Sequence, residues 1–377
     1  MRPKLRLLDI EPVPEGYLLR DPYGVSEEAL VLSPEAMYLA SLMDGSRTLE
    51  DIQAELLKGS GSVIPMEKLK ELAEALERAG FLETEKTREK LAEAERAFLS
   101  APRPPALAGT SYPQSEEALG AFFEGMAAFA PEVPSAPLKA LLMPHLELRR
   151  VPASYGAALL ALKNTPPPER VLILGVAHRP IAAPAAALPI ALKTPLGELA
   201  TDIEALQALD ALLGFELFNT PLAFREEHSI EFPALFVKAA WPEAKVLPLI
   251  VASDDETALG ELARALRLLK AERPFFPLLA VDLSHVGGRF GHGPINRELK
   301  ARAETTDKTY LDLLAALRFE EAFKLLKSRE NDTYIDALGP AHAAREVISG
   351  EGRVLDYQLS PELETLSAVG AGTVGWY

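Results

Sequence analysis

The sequence predicts an α/β protein with a central sheet, preceded by a smaller α+β module. Three observations predict it. From Leu138 onward, short apolar runs alternate with amphipathic stretches of helical spacing, the pattern of strands and helices stacked in layers. Three of those runs end in a histidine: Leu138 to Pro144 runs into His145, Val171 to Ala177 into His178, and Phe275 to Val281 into Asp282 and then His285. The first 82 residues instead carry short strand-like pieces followed by three capped helical segments.

Taken in order, Tyr17–Arg20 and Ala29–Leu32 read as strands. Ser33-Pro34-Glu35 opens a helix, with Ser33 as N-cap and Pro34 at the first helical position, and Asp44-Gly45 ends it. Thr48 and Asp51 form a near capping box for a second helix, which Gly59-Ser60-Gly61 breaks. Met66 to Ala79 is a third helix, with Leu69, Leu72, Ala73 and Leu76 on one face and Gly80 as its cap. Thr84 to Leu99 is charged and helical, and Ser100 to Pro105 is a proline-rich linker. The expected division is therefore a module at 1–83, a linker at 84–105 and a larger domain at 106–377.

Within that domain, Glu116–Phe129 reads as a helix, and another begins near Pro152. Val171–Val176 is a strand. Ile190–Leu192 and Thr194–Leu199 make a hairpin, and Asp202–Leu213 is helical. A helix starts at Glu227-His228-Ser229 and runs to Ala240. The strand Val246–Val251, the helix Thr257–Leu269 and the strand Phe275–Val281 follow. Gly287 to Gly293 reads as a mobile loop, helices continue to about Lys327, and Leu366–Trp376 adds one or two strands.

Composition narrows the function classes. No apolar run approaches the roughly 20 residues of a membrane span, and the N-terminus lacks a secretory h-region. With no cysteine, disulfides, thiolate catalysis and thiolate metal ligands are excluded; a cytoplasmic setting is expected. The net charge of −16 argues against nucleic acid and anionic membrane as partners. The helix-turn-helix look of the N-terminal module suggests a winged helix, but residues 1–82 hold nine Lys/Arg against fifteen Asp/Glu, the wrong balance for neutralising phosphates. Frequent proline, with four Asn and four Gln, suits a thermophile.

The chemistry-bearing residues are histidines and one acid. Each His alone is an ordinary loop or core residue. Three at strand ends, where ligands gather in α/β sheets, with Asp282 beside one, predict a mononuclear metal site of His145, His178, Asp282 and His285. Imidazole with carboxylate suits Fe(II) or Zn, and Cu(II) among softer choices. His228 at a helix start is held neutral by the dipole and suits a general acid/base role, although a capping network with Glu227 and Ser229 accounts for the same residues. His292 and His342 carry weaker signals.

Leu32-Ser33-Pro34-Glu35-Ala36, Asp44-Gly45-Ser46-Arg47-Thr48-Leu49-Glu50-Asp51-Ile52 and Gly80-Phe81-Leu82 resemble PqqD-like winged helices, which implies a module that binds peptides rather than DNA. A longer resemblance runs from about Gly109 to the end. Ala108-Gly109-Thr110-Ser111-Tyr112-Pro113, Met143-Pro144-His145, Leu174-Gly175-Val176-Ala177-His178, Thr194-Pro195-Leu196-Gly197, Glu227-His228-Ser229-Ile230-Glu231, Asp282-Leu283-Ser284-His285 and Gly288-Arg289-Phe290 together resemble the Memo family, the B component of AmmeMemoRadiSam systems. The resemblance implies a class III extradiol dioxygenase-like fold, with a mixed central sheet flanked by helices. It places His145, His178, Asp282 and His285 on metal-site positions with His228 nearby. Glu227, Arg289 and His292 are then the expected substrate-binding residues. Two departures stand out. Leu146 to Arg150 replaces a small, glycine-containing segment, and the cysteine many relatives carry near Leu338-Gly339-Pro340 is missing, which favours a harder N/O site.

Three functions follow from these readings. The first is a non-haem-iron oxidoreductase with a small-molecule or peptide substrate. The second is a non-catalytic peptide-binding partner of a radical enzyme, with a protein partner docking on the N-terminal module. The third is a zinc hydrolase using a metal-activated water.

Overall fold

The computed structural model describes residues 2–60 and 64–377, so the break expected at Gly61 lies outside the described residues. The chain forms two compact units. The first takes the chain to Ser100 together with Arg179–Ala182, and the second takes Ala101–His178 and Ala183–Tyr377.

In the first unit, strands Asp9–Val13 (β1), Gly16–Arg20 (β2) and Ala29–Leu32 (β3) form an antiparallel sheet in the order β1-β2-β3. Four helices follow: Pro34–Ser41 (α1), Leu49–Ser60 (α2), Met66–Arg78 (α3) and Glu85–Leu99 (α4). The caps act locally. Ser33 Oγ accepts from Ala36 N–H at 3.2 Å. Thr48 N–H donates to Asp51 Oδ2 at 2.9 Å while Asp51 N–H donates to Thr48 Oγ1 at 3.2 Å, so each side chain satisfies the other's orphan amide. Gly80, at φ +72°, turns the chain after α3 so that Phe81 enters the core beside Leu19, Ile52, Leu69 and Leu76. The charged stretch read as part of a linker, α4, clusters with this unit.

The second unit holds α5 (Glu116–Ala127), β4 (Ala140–Met143), α6 (Pro152–Lys163), β5 (Arg170–Val176), β6 (Ala185–Ala187), β7 (Leu192–Thr194), β8 (Gly197–Leu199), α7 (Ile203–Asp210) and α8 (His228–Ala240). It continues with β9 (Lys245–Val251), α9 (Glu256–Glu272), β10 (Phe276–Ala280), β11 (His285–Gly287), α10 (Arg297–Ala315), α11 (Phe319–Lys327), α12 (Leu338–Ala344), β12 (Gly352–Glu362) and β13 (Ser367–Trp376). The main sheet runs β11-β13-β4-β10-β5-β9-β6, with β12 paired to β13. Its centre, β4-β10-β5-β9, is parallel; β6, β11, β12 and β13 pair antiparallel. This is the mixed sheet flanked by helices that the sequence predicts.

Both faces of the parallel centre are covered, which is why its strands read as unbroken apolar runs. Side chains alternate between faces. Ala140, Leu142, Leu172, Leu174, Leu247, Leu249 and Leu279 share one core with residues of α7, α9, α10, α11 and α12. Helices α6 and α8 pack on the sheet as well, and α5 packs on α6. Elements that the sequence hid are those without an amphipathic period. Strand β6 is three alanines, α12 is buried throughout behind a Gly-Pro pair, and β12 is a half-exposed edge strand with no clean alternation. The expected hairpin falls at β7 and β8, and the helix expected over Asp202–Leu213 is the shorter α7. The start of the stretch read as a mobile loop is instead β11 and a 3-10 turn over Gly288–Phe290.

Candidate metal centre

Three of the four expected ligands leave the sheet side by side. His145, His178 and Asp282 each lie two residues beyond the end of a parallel strand, β4, β5 and β10 respectively. Ala280 pairs with Met143 and Leu279 with Leu174, so these strand ends lie abreast. The carboxyl edge of a parallel sheet is where such side chains meet.

His145 is buried, with 1% of its surface exposed. Its Nδ1 lies 3.0 Å from Ala280 O, so that nitrogen carries a proton and donates, which turns Nε2 toward the site. Two carboxylates face Nε2: Asp336 Oδ2 at 3.2 Å and Asp282 Oδ2 at 3.7 Å. Asp282 is anchored through its other oxygen, which accepts from the backbone N–H of His145 at 3.0 Å and of Leu146 at 3.1 Å. Asp336 Oδ1 accepts from Asp282 N–H at 2.7 Å. Its Oδ2 is buried and faces His145 Nε2.

His178 is held from the other side. Its Nδ1 donates to Glu227 Oε1 at 2.8 Å, and its backbone N–H to Glu227 Oε2 at 3.0 Å. Glu227 also caps α8, accepting from Ser229 N–H at 2.9 Å. Helix α8 comes this close because position 175 is glycine; a Cβ there would collide with Ser229. Ser229 Oγ then donates to Val176 O at 2.8 Å and accepts from Val176 N–H at 3.1 Å, which ties the helix start to the end of β5. One turn on, the buried Glu231 accepts from Arg103 Nη1 at 2.6 Å, from Tyr112 OH at 2.5 Å and from the Leu107 amide at 2.8 Å. The Arg103 side chain also donates to Phe224 O at 2.5 Å, just before α8.

These supports bring three imidazoles together. Ring centroids of His145 and His178 are 4.9 Å apart, those of His145 and His228 5.0 Å, and those of His178 and His228 4.1 Å. One nitrogen from each lies within 4.8 Å of the others, and the donor atoms of His145, Asp282 and Asp336 meet the same limit. His145 belongs to both groups, so the three imidazoles and the two carboxylates adjoin at its ring.

The electrostatics differ across the cluster. Burial opposes charge on His145, but Asp282 and Asp336 outweigh it and push the imidazole up to about 10 in the metal-free protein. Burial, with the neighbouring His145 and His178, pulls His228 down to about 3, so it is a neutral base at pH 7. Burial would raise Glu227, yet the charge and hydrogen bonds of His178 hold it at about 2. Burial raises Asp282, whereas for Asp336 His145 overcomes burial and keeps the carboxyl below its usual range.

The remaining expected site residues fall elsewhere. His285 opens β11, and its Nδ1 faces the carbonyls of Leu283 at 2.9 Å and Tyr334 at 3.0 Å; it belongs to neither donor group. It opens a strand that pairs antiparallel with β13, yet it stands close enough to act electrostatically on Asp282 and Asp336. Glu227, expected to touch substrate, is buried with both oxygens taken by His178 and Ser229. Arg289 is exposed and pairs with Glu362 at 3.0 Å. His292 lies against Tyr334, its Nε2 2.8 Å from Asp332 O.

The residue that sequence reasoning missed is Asp336. It follows no strand and stands in no motif. One signal was available: it is the single acid in the run from Thr333 to Ala344, the pattern of a buried carboxylate that needs a partner. The segment leading to it carries positive φ at Glu330, Asn331 and Tyr334. A cavity of about 500 Å³ opens beside it, lined by Ala177, Ser253, Lys327, Asn331, Asp336 and Leu338 among others.

Comparison with known proteins finds relatives of this chain. Residues 103–375 match the family described as Memo-like protein. A MEMO1 family protein of Thermus thermophilus is 49% identical over 88% of this chain and 99% of its own length. A MEMO1 family protein of Aquifex aeolicus is 35% identical over the whole of both chains. A third, from Thermococcus kodakarensis, is 27% identical over 54% of this chain and 70% of its own.

Proposed function

The chain belongs to the Memo-like family, and from that premise we propose that it holds one divalent metal ion at His145, which the imidazoles of His178 and His228 approach on one side and the Asp336 carboxylate on the other, in the service of an oxidation. The observation that carries this reading is Asp336 Oδ2, a buried carboxylate oxygen 3.2 Å from His145 Nε2, the nitrogen that carries a displaceable proton in the metal-free protein. Two atoms that both offer electron pairs at such a distance fit a cation between them, either a proton on His145 or a metal. Two histidines and one carboxylate with further positions open are the donor set of non-haem Fe(II) oxygenases. Bound there, iron would supply redox-active Lewis-acid chemistry.

The protein's own groups do the rest. The Ala280 carbonyl and the Glu227 carboxylate fix the tautomers of His145 and His178, so that each presents Nε2. Asp282 braces the turn at His145 through its amide bonds. His228, neutral and 4.1 Å ring to ring from His178, accepts a proton from a bound hydroxyl or returns one. The cavity beside Asp336 has room for a small molecule or a peptide side chain. Protein purified without oxygen and then assayed in air-equilibrated buffer tests this reading: iron bound by the wild type, with O₂ uptake on adding substrate candidates, supports it. Zinc in the same place, with ester or peptide hydrolysis, overturns the oxidation.

The first unit has a role of its own in this reading, as a docking module for a protein partner. A groove of about 510 Å³ lined by Ser33, Ala36, Leu39, Ile64, Lys68 and Leu72 favours it. A peptide library screened against the full chain and its Ala36→Trp variant is the check. Binders lost on filling the groove support docking, and equal binding argues against it.

A further inference from the structure

Away from the strand ends, a second group of donors meets where α9, α11 and α12 pack together. Glu256 is the first residue of α9, Glu320 lies in the first turn of α11, and His342 is inside α12. One donor atom from each lies within 4.8 Å of the other two. The carboxylates are exposed, whereas His342 keeps only 1% of its surface. Among the described residues, neither ring nitrogen of His342 has a hydrogen-bond partner. Its ring stacks on Phe323 at 4.0 Å between centroids and 28° between planes, which fixes its orientation. A buried imidazole with both nitrogens unpaired forfeits the bonds it had in water, so such a group calls for a missing partner.

We propose that Glu256, Glu320 and His342 form a second cation site, separate from the centre at the strand ends, for a transition divalent ion such as Zn(II). The imidazole selects against Mg²⁺ and Ca²⁺, which prefer oxygen alone, and two carboxylates supply the charge that a divalent ion needs. Arg345 already touches this group: its Nε lies 2.9 Å from Glu320 Oε1 and its Nη1 donates to His342 O at 2.7 Å. A carboxylate can serve both cations, one oxygen to each. The ion would pin together three helices, and α12 begins two residues after Asp336, so the site braces the segment that brings Asp336 to the strand ends. Its role is structural rather than chemical.

The test is Zn(II) titration, against a chromophoric chelator, of the full chain carrying His145→Ala and His178→Ala. That background removes two imidazoles of the central site, so failure here leaves the reading of that centre standing. One equivalent of Zn(II) is expected. Adding Glu256→Gln or Glu320→Gln, both at exposed positions that fold without the carboxylate, weakens it by at least about tenfold, the loss that even an outer partner of a ligand costs. His342→Gln abolishes it. No bound equivalent in the folded double variant overturns the proposal, and so does an equivalent whose affinity either Glu variant leaves unchanged.

Discussion

His145 and His178 occupy equivalent places, two residues beyond neighbouring strand ends, yet they are held in opposite ways. His145 is buried, its Nδ1 on a neutral carbonyl and its Nε2 facing two carboxylates. His178 is partly exposed, its Nδ1 on a carboxylate and its ring beside the other two imidazoles. The first histidine neutralises charge already present in the site. The second is oriented from behind by Glu227. Equivalent topology therefore does not mean equivalent chemistry; the partner at the far nitrogen decides the role.

Breaking this asymmetry should show first in stability. In the metal-free protein His145→Ala leaves Asp282 and Asp336 facing each other without a counter-charge, a loss expected to cost about 3–5 kcal/mol at pH 7. His178→Ala is milder, because Glu227 keeps the amides of residue 178 and Ser229. The pH dependence carries the sign. The pKa of His145 is raised on folding, so its contribution is complete below about 6.5 and is lost as pH climbs through about 10. Urea titrations of the metal-free wild type should show that decline, and those of His145→Ala should lack it. Equal slopes in the two proteins contradict the assignment.

The next effect is on metal affinity. Glu227→Gln leaves every metal-facing atom in place but turns a carboxylate–histidine pair into an amide–histidine pair, which costs about 10–100-fold in metal binding. Chelator competition measures it, and an unchanged constant means that His178 is not a ligand.

The smallest effect is the proton count. A metal at His145 Nε2 must displace the proton that Asp282 and Asp336 hold there, so affinity should rise about tenfold per pH unit between roughly pH 7 and 9. His228, held at about 3, contributes no proton in that window. Proton release measured in weakly buffered solution on metal addition checks this. Release of none removes His145 from the ligand set.

Much of this site was legible in the sequence because parallel strands buried on both faces are continuous apolar runs, and the residue just past each run reaches the sheet edge. That logic found His145, His178 and Asp282 from their neighbours alone. It does not bring His285 into either donor group, because two residues of turn after Asp282 lead into an antiparallel strand, and strand direction is not written in local pattern. It failed for Asp336 because that residue arrives on an irregular segment, whose course depends on left-handed backbone at Glu330, Asn331 and Tyr334 rather than on any period. Glu227 was read as a contact for substrate, whereas the fold uses it to cap α8 and orient His178 in one stroke.

The most direct test of the account is the iron content of anaerobically reconstituted wild type and Asp336→Ala, measured together. The account predicts that the variant, folded and otherwise intact, binds one equivalent less than the wild type. Equal iron in the two proteins would contradict it.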